Sequence, residues 1–475
     1  MAEVNNTKRP FWRLTSKERQ FILVLGDSLA TVVALFVALY FWAQKDQWMD
    51  FSWQFLRERP PDWYYLLPII WLILLVELYD VRRAGRVQDT FQVTAISAAV
   101  MSILYAFIFF LSEPHTLPRR GVAGFIAAAT VLTLLWRLLY IRVFTAKLFM
   151  RRVLIIGAGR SGSTLAGIMQ KGKWVLPYIL VGFIDDDRTK IGKKVAGLPV
   201  IGGGRNLLKI INKEHISDLI FSISGEIKPA MYKAILAAVE NGVEVTTMPN
   251  VHEDLLGRVP IFLLEDEWII RSFVDQAYSS SSYEAIKRLL DIVIALVGLI
   301  ILLLFFPLIS LVVFMNGGFP IIFRQKRLGK SGRCFELLKF RTMIRDAEKD
   351  GKARFAVEND ERVTRVGRFM RRSHLDELPQ LINVLRGELS LVGPRAERPE
   401  LINQLQKKIP FYRARLLIKP GVTGWAQINY RYATNVKESA IKLEFDLYYI
   451  KHRNLLLDIL ILIRTLGAVF GFRGL

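Results

Sequence analysis

The sequence predicts a three-part membrane protein: a bundle of four transmembrane helices over 1–150, an α/β domain over 151–270, and a mostly α domain over 271–475 that carries a re-entrant membrane helix at 291–315. Three observations predict it. The 475-residue chain is 52% hydrophobic, too apolar for an ordinary soluble enzyme of that length. Long apolar runs crowd the first 150 positions, and a fifth follows residue 290. Between them, a short apolar strand runs into a glycine-rich turn.

Four stretches, about 20–42, 63–79, 92–111 and 121–144, approach the roughly 20 apolar residues that cover a bilayer core of about 30 Å. Lys8, Arg9, Arg13, Lys17 and Arg19 precede the first, Arg82, Arg83 and Arg86 separate the second from the third, and Arg142, Lys147, Arg151 and Arg152 follow the fourth. Basic flanks stay in the cytoplasm, so both ends of the bundle are expected there, with Arg119 and Arg120 as exceptions. The first run is long and lacks the small-residue cleavage site of a secretory signal. A formal charge of +22 on such a chain suits anionic lipid headgroups or phosphorylated ligands. The single cysteine, Cys334, excludes an intramolecular disulfide and argues against a thiolate metal cluster.

The segment "RRVLIIGAGRSGSTLAGIM" places Gly157, Gly159 and Gly162 between a strand and a helical pattern, and Asp185 to Asp187 follow in "VGFIDDD". This is the context of a dinucleotide site, in which glycines let a pyrophosphate approach a helix N-terminus. The expected fold class is therefore a membrane α-helical bundle, an α/β Rossmann-like domain and a mostly α domain. Tyr283 and Lys287 in "SSSSYEAIK" add the spacing of short-chain dehydrogenases, with both side chains on one helical face. They also stand at the mouth of a membrane segment, which argues against a redox site.

The fifth apolar run, Ile292 to Phe314, is long enough to span. Its flanks are both basic: Lys287 and Arg288 before it, Arg324, Lys326, Arg327, Lys330 and Arg333 after it. Pro307 interrupts it after Phe306, and the residues from Ile292 to Phe306 make only about 22 Å of helix. The expectation is a helix–break–helix that dips into one leaflet and returns.

Beyond it, "FRQKRLGKSGRCFELLKFRTMIR" opposes eight Lys or Arg to Glu336 alone. Such density beside a membrane suits phosphate groups. "LVGPRA" offers Arg395 on a Gly-Pro turn, and "KPGVTGWAQINYR" offers Gln427 and Arg431 on a second one. A nucleic-acid partner is not expected, since basic and aromatic residues do not interleave on a soluble face. The adjacent carboxylates Asp376 and Glu377 sit near Arg368, Arg371 and Arg372. A structural account is available for them: Ser373 and Asp376 have capping-box spacing, and acids before Pro379 suit a helix start.

Taken in order, "KRLLD", "KFRTM", "LDELPQLINVLRGELSLVGPR" and "KPGVTGWAQIN" resemble the bacterial polyprenyl-phosphate hexose-1-phosphate transferases, the monotopic phosphoglycosyl transferases, over about 280–475. The bundle and middle domain resemble that family's long members. The resemblance implies a catalytic domain that passes a hexose 1-phosphate from a UDP-sugar to undecaprenyl phosphate, releases UMP and starts a surface polysaccharide. It implies Asp376 as covalent nucleophile and Glu377 as the magnesium ligand, with Arg395 on phosphate, Lys339 and Arg341 lining the site, and Arg431 in contact with the donor nucleotide. It implies the cytoplasmic membrane as location and membrane lipid as a partner, and leaves a homodimer open. Departures from the family pattern are Ala396 after Pro394 and Arg395, Tyr430 before Arg431, and Phe306 before Pro307. Two other readings are a membrane-anchored nucleotide-sugar oxidoreductase using Gly157, Tyr283 and Lys287, and a nonenzymatic regulator that senses a nucleotide.

Overall fold

The structure is a computed structural model that describes residues 14, 16–46, 49–79, 84–111, 118–146, 149–171, 178–223, 225–264, 281–344, 362–430 and 435–470. The chain divides into two compact units, Met1–Val251 and His252–Leu475.

In the first unit, α1 (Ser16–Ala43), α3 (Val87–Leu111) and α4 (Arg119–Phe144) are long and apolar enough to cross a membrane, with α2 (Leu67–Leu74) between α1 and α3. The second expected span is not one long helix. A 3₁₀ turn at Asp62–Leu66 leads into α2, and another at Val76–Tyr79 follows it. Pro68 lies in the first turn of α2, where its missing N–H costs nothing.

A charged pair in an apolar setting holds α1 against α4. Asp27 and Arg137 are both fully buried, with Arg137 Nη2 2.5 Å from Asp27 Oδ2. Arg137 also donates to the Leu78 carbonyl at 2.8 Å, which ties in the 3₁₀ turn after α2.

The middle of the chain is a six-stranded sheet: β1 (Arg151–Ile156), β2 (Tyr178–Ile184), β3 (Lys194–Val195), β4 (Leu198–Gly202), β5 (Asp218–Phe221) and β6 (Glu244–Thr247). Its order is β3-β4-β2-β1-β5-β6, parallel except at the β3 edge. Central β1 is apolar on both faces, and Val153 to Ile156 are wholly buried, as a covered parallel strand requires. Helices α5 (Arg160–Lys171), α6 (Leu207–Glu214) and α7 (Pro229–Glu240) make crossovers. The direction of winding reverses between β1 and β5, beside the glycine turn. There Gly157 has φ +100°, and a Cβ on Gly162 would come within 2.1 Å of the Gly157 carbonyl.

The second unit begins earlier than the sequence suggests. Val259 and Ile261, assigned above to the middle domain, lie in the C-terminal core with Trp425, Leu443 and Tyr449. The Val259 N–H donates to the Glu444 carbonyl at 3.0 Å. Residues 265–280 lie outside the described residues.

Next comes α8 (Ser281–Gly317), where the expected break is not found. The chain stays helical through Pro307, although the proline cannot donate to the Leu303 carbonyl. One flank of α8 meets its own domain from end to end. Arg288 donates to the Val384 and Leu385 carbonyls at 2.7 and 2.8 Å, Asp291 accepts from Leu391 N–H at 3.0 Å, and the Phe306 ring lies 5.9 Å from that of Phe340. Val313, 2% exposed, packs with Phe340 and Met370. The opposite flank, including Ile300, Leu304, Leu308 and Leu311, is apolar and exposed.

The rest of the unit is mostly helical, with two small sheets: β7 (Ile322–Leu328) antiparallel to β8 (Cys334–Phe340), and β9 (Ser390–Val392) parallel to β10 (Gly421–Thr423). Helices α9 (Arg365–Arg372), α10 (Gln380–Arg386), α11 (Val436–His452) and α12 (Leu455–Phe470) surround them.

The Asp27–Arg137 pair generates a stability prediction. Arg137→Leu strands a buried carboxylate and should cost about 3–5 kcal/mol, whereas the double change Asp27→Leu/Arg137→Leu should recover most of it. Thermal melting of the detergent-solubilised protein would show the order single variant below double variant.

Candidate functional site

The acid pair occupies a 3₁₀ turn, Leu375–Glu377, between α9 and α10. His374 enters it in the left-handed conformation, φ 58°. Ser373 does not cap this turn: its hydroxyl donates back to the Phe369 and Met370 carbonyls. The capping-box account of Asp376 therefore has no counterpart in the fold.

Glu377 Oε1 accepts from Lys339 Nζ at 2.5 Å and from Arg395 Nη2 at 3.0 Å. Burial alone would raise the Glu377 carboxyl, but these two cations outweigh it and hold it well below the usual range. Asp376 is 6% exposed and behaves oppositely. Burial pushes it up to about 6 against the attraction of Lys339, Arg371 and Arg395, and the Glu377 charge adds to the rise. Two neighbouring carboxylates thus have distinct characters: one paired with two cations and shifted down, the other buried and shifted up.

Three local devices put the cations there. Asn383 on α10 accepts from Leu338 N–H at 3.1 Å and donates to the Glu336 carbonyl at 2.7 Å, registering the strand of Lys339 against the helix after the acid turn. Thr342 Oγ1 accepts from Arg371 Nε at 2.9 Å, aiming a guanidinium on the helix before that turn. The two Gly-Pro segments interlock: Gly393 N–H donates to the Thr423 carbonyl at 2.9 Å and Gly421 N–H to the Pro394 carbonyl at 2.8 Å. No Cβ fits at Gly393 or Gly421, since each would lie within 2.5 Å of facing backbone. That contact fixes the turn on which Arg395 stands.

Other expected residues fare differently. The Arg341 guanidinium donates to the Phe319 and Met343 carbonyls at 2.9 and 3.2 Å. Gln427 sits on the second Gly-Pro segment, where Nε2 donates to the Val422 carbonyl at 2.9 Å and Oε1 is buried without a hydrogen bond. Arg431 lies outside the described residues. Tyr283 and Lys287 come together, but on a carboxylate: both contact Asp458 Oδ2 at 2.9 Å, and Tyr449 donates to Asp458 Oδ1 at 2.6 Å. They bind the base of α8 to α11 and α12. In the first unit, Gly159 faces open space, while Asp185 Oδ2 accepts from the Ala158 N–H at 2.8 Å and pairs with Lys190. Among the described residues, no group of three or more His, Cys, Asp or Glu could hold a metal ion by itself.

Residues 282–472 match the family model of the bacterial sugar transferase domain, and residues 75–249 match that of a CoA-binding domain. A UDP-N-acetylgalactosamine-undecaprenyl-phosphate N-acetylgalactosaminephosphotransferase of Aeromonas hydrophila is 38% identical over 237 residues, 49% of this chain and about half, 54%, of that protein. A UDP-glucose:undecaprenyl-phosphate glucose-1-phosphate transferase of Xanthomonas campestris pv. campestris is 28% identical over 74% of this chain and 72% of its own. A UDP-galactose-lipid carrier transferase of Erwinia amylovora is 31% identical over 69% of this chain and 70% of its own.

The raised Asp376 carboxyl has a signed consequence for stability. Its folded value near 6 lies above the ordinary 3.8, so the folded state holds this proton more tightly and loses stability as pH rises through about 6. Relative to Asp376→Asn, which cannot ionise, the parent protein should melt progressively lower between about pH 4 and pH 7 in magnesium-free buffer. A melting-temperature difference that is flat with pH would contradict the assigned environment.

Proposed function

This chain belongs to the bacterial sugar transferase family, and on that premise we infer that it transfers a hexose 1-phosphate from a UDP-sugar to undecaprenyl phosphate, releasing UMP, as the first membrane step of a surface polysaccharide. The observation that carries the reading is the asymmetric acid pair: a poised Asp376 beside a charged Glu377, with Lys339, Arg371 and Arg395 around them.

An oxygen of ionised Asp376 attacks the phosphorus attached to the sugar, and the bond to the bridging oxygen breaks, so that UMP departs and an aspartyl phosphosugar remains. A phosphate oxygen of undecaprenyl phosphate then attacks that phosphorus and returns Asp376 as a carboxylate. Lys339, Arg371 and Arg395 offset the negative charge of the phosphoryl oxygens in both displacements. In a 3₁₀ turn, adjacent side chains diverge by about 120°, so the two carboxylates serve different atoms. Among the described residues, Lys339 and Arg395 both meet Glu377 at Oε1, and Oε2 would be the oxygen to hold a magnesium ion. That ion, when bound, would neutralise phosphate oxygens, and a site with so few carboxylates fits magnesium, which takes one or two plus substrate phosphates.

Contacts at both ends of α8 support a same-side topology. Residues 288–313 cover about 37 Å of helix, yet Arg288 and Val313 both contact one polar domain. A true crossing would put those ends on opposite sides of the bilayer. The basic flanks support the cytoplasmic side of the cytoplasmic membrane for both ends and for the domain. The oxidoreductase reading loses its support, because the Tyr283 hydroxyl and Lys287 ammonium are committed to Asp458.

Two measurements test this reading. Enzyme given magnesium and its UDP-sugar, without lipid acceptor, should release at most about one UMP per active site and retain sugar phosphate on the protein. Asp376→Asn should fold and lose this burst; near-normal turnover by that variant would refute the covalent role. For topology, cysteines introduced by Asn316→Cys and Glu284→Cys, in a Cys334→Ser background, should both react only with reagent on the cytoplasmic side. Labelling at 316 from the other side would refute the same-side topology.

A further inference from the structure

Beside Arg395 lies a second charged cluster that the acid pair does not use. Its centre is Glu397, with Arg327 Nη1 at 3.8 Å, Arg415 Nη1 at 3.6 Å and Lys442 Nζ at 3.7 Å. Each gap exceeds hydrogen-bond length, so Glu397 balances charge without bonding directly to these cations. Arg415 is committed below: it donates to Asp446 Oδ2 and to the Tyr412 hydroxyl, both at 2.8 Å, and to the Arg395 carbonyl at 3.3 Å. It forms the floor. Arg327, which also donates to the Ala396 carbonyl at 3.0 Å and to Gln325 Oε1 at 2.6 Å, Arg398, which pairs with Glu400 at 3.6 Å, and Lys442 form the rim, with 15%, 15% and 13% of their side chains exposed.

This rim is crowded with like charge. Burial brings the Arg327 guanidinium down to about 10, Glu397 opposes the fall, and Arg395 and Arg398 add to it. Burial also lowers Lys442, which Glu397 attracts and Arg395 and Arg415 repel. Cations held together at low exposure gain most from an anion that contacts several of them at once. Arg395 joins this cluster to the acid pair, since it bonds Glu377 at 3.0 Å and its charge reaches Arg327, Glu397 and Lys442.

The donor of the transfer reaction carries two phosphates, and the first displacement gives them different fates. When Asp376 bonds to the sugar's phosphorus, the electron pair of the broken bond leaves with the bridging oxygen. The departing nucleoside monophosphate gains one negative charge, and no proton moves. We propose that Arg327, Arg398 and Lys442 form a phosphate-monoester subsite, and that its occupant is the phosphate of the departing nucleoside monophosphate. The proposal rests on the transfer reaction above and divides the cations of the domain: Lys339, Arg371 and Arg395 serve the phosphate that stays with the sugar, and the Glu397 rim serves the one that leaves.

The test separates the two half-reactions. Lys442→Met keeps the aliphatic stem and removes the charge. Without acceptor, this variant should load its phosphosugar at least about tenfold more slowly from UDP-sugar, and uridine monophosphate should bind it at least about tenfold more weakly by calorimetry. Once loaded, it should discharge to undecaprenyl phosphate at the parent rate, because the nucleotide has already left. Arg398→Gln should give the same pattern and decides the matter if the methionine variant fails to fold. Slowed discharge with unchanged loading would seat the lipid phosphate on this rim and overturn the assignment, as would unchanged uridine monophosphate affinity. Failure of the underlying reaction would look different: a parent protein that neither loads nor releases UMP refutes the transfer, while the calorimetric comparison still decides the subsite.

Discussion

One carboxylate oxygen, Glu377 Oε1, collects the three parts of the catalytic domain that matter. Lys339 reaches it from β8 and Arg395 from the Gly-Pro turn, while Glu377 itself belongs to the turn between α9 and α10. The geometry of each part is answerable to the others. Asn383 sets the register of β8, and the face-to-face contact of Gly393 with Gly421 sets the Arg395 turn. Because Lys339 and Arg395 neutralise Glu377, the burden of unfavourable burial falls on Asp376, whose charge is least compensated. A difference in charge environment between two adjacent acids is thereby built from a difference in pairing.

Much of this was legible in the sequence, because it depends on short-range pattern. Long apolar helices, a parallel strand that is apolar on both faces, and a glycine turn are local signals. The acid pair, Lys339 and Arg395 were likewise visible through their motifs. What the sequence misjudged depends on distant partners. Arg341 stands two residues from Lys339 in the chain, yet carbonyls of Phe319 and Met343 claim it. Ser373 has the right spacing for a cap, but the last carbonyls of α9 are nearer. Pro307 was expected to end a helix; in an apolar setting, ending it would leave several backbone groups unpaired, whereas continuing leaves one.

Tyr283 and Lys287 show how a chemical motif can arise from packing. Spacing of four puts any two residues on one helical face. Here that face meets Asp458, and the pair satisfies a buried carboxylate where the helix leaves its domain. The signal that distinguishes the two cases is a third residue, 171 positions away from Lys287, which no local window contains.

The stretch from His252 to Ile261 bears on how such chains can be divided. The family match to the transferase domain opens at residue 282, but the folded body opens thirty residues earlier. A fragment cut at 282 would take Val259 and Ile261 out of the core, deprive Lys451 and His452 of Glu253, and leave the Trp425 indole N–H without the Gly257 carbonyl that it meets at 2.7 Å. Recombination between relatives at that border would join a domain to a foreign leader whose residues must fill the same pockets. The inheritable module, in the physical sense, therefore includes its own tether.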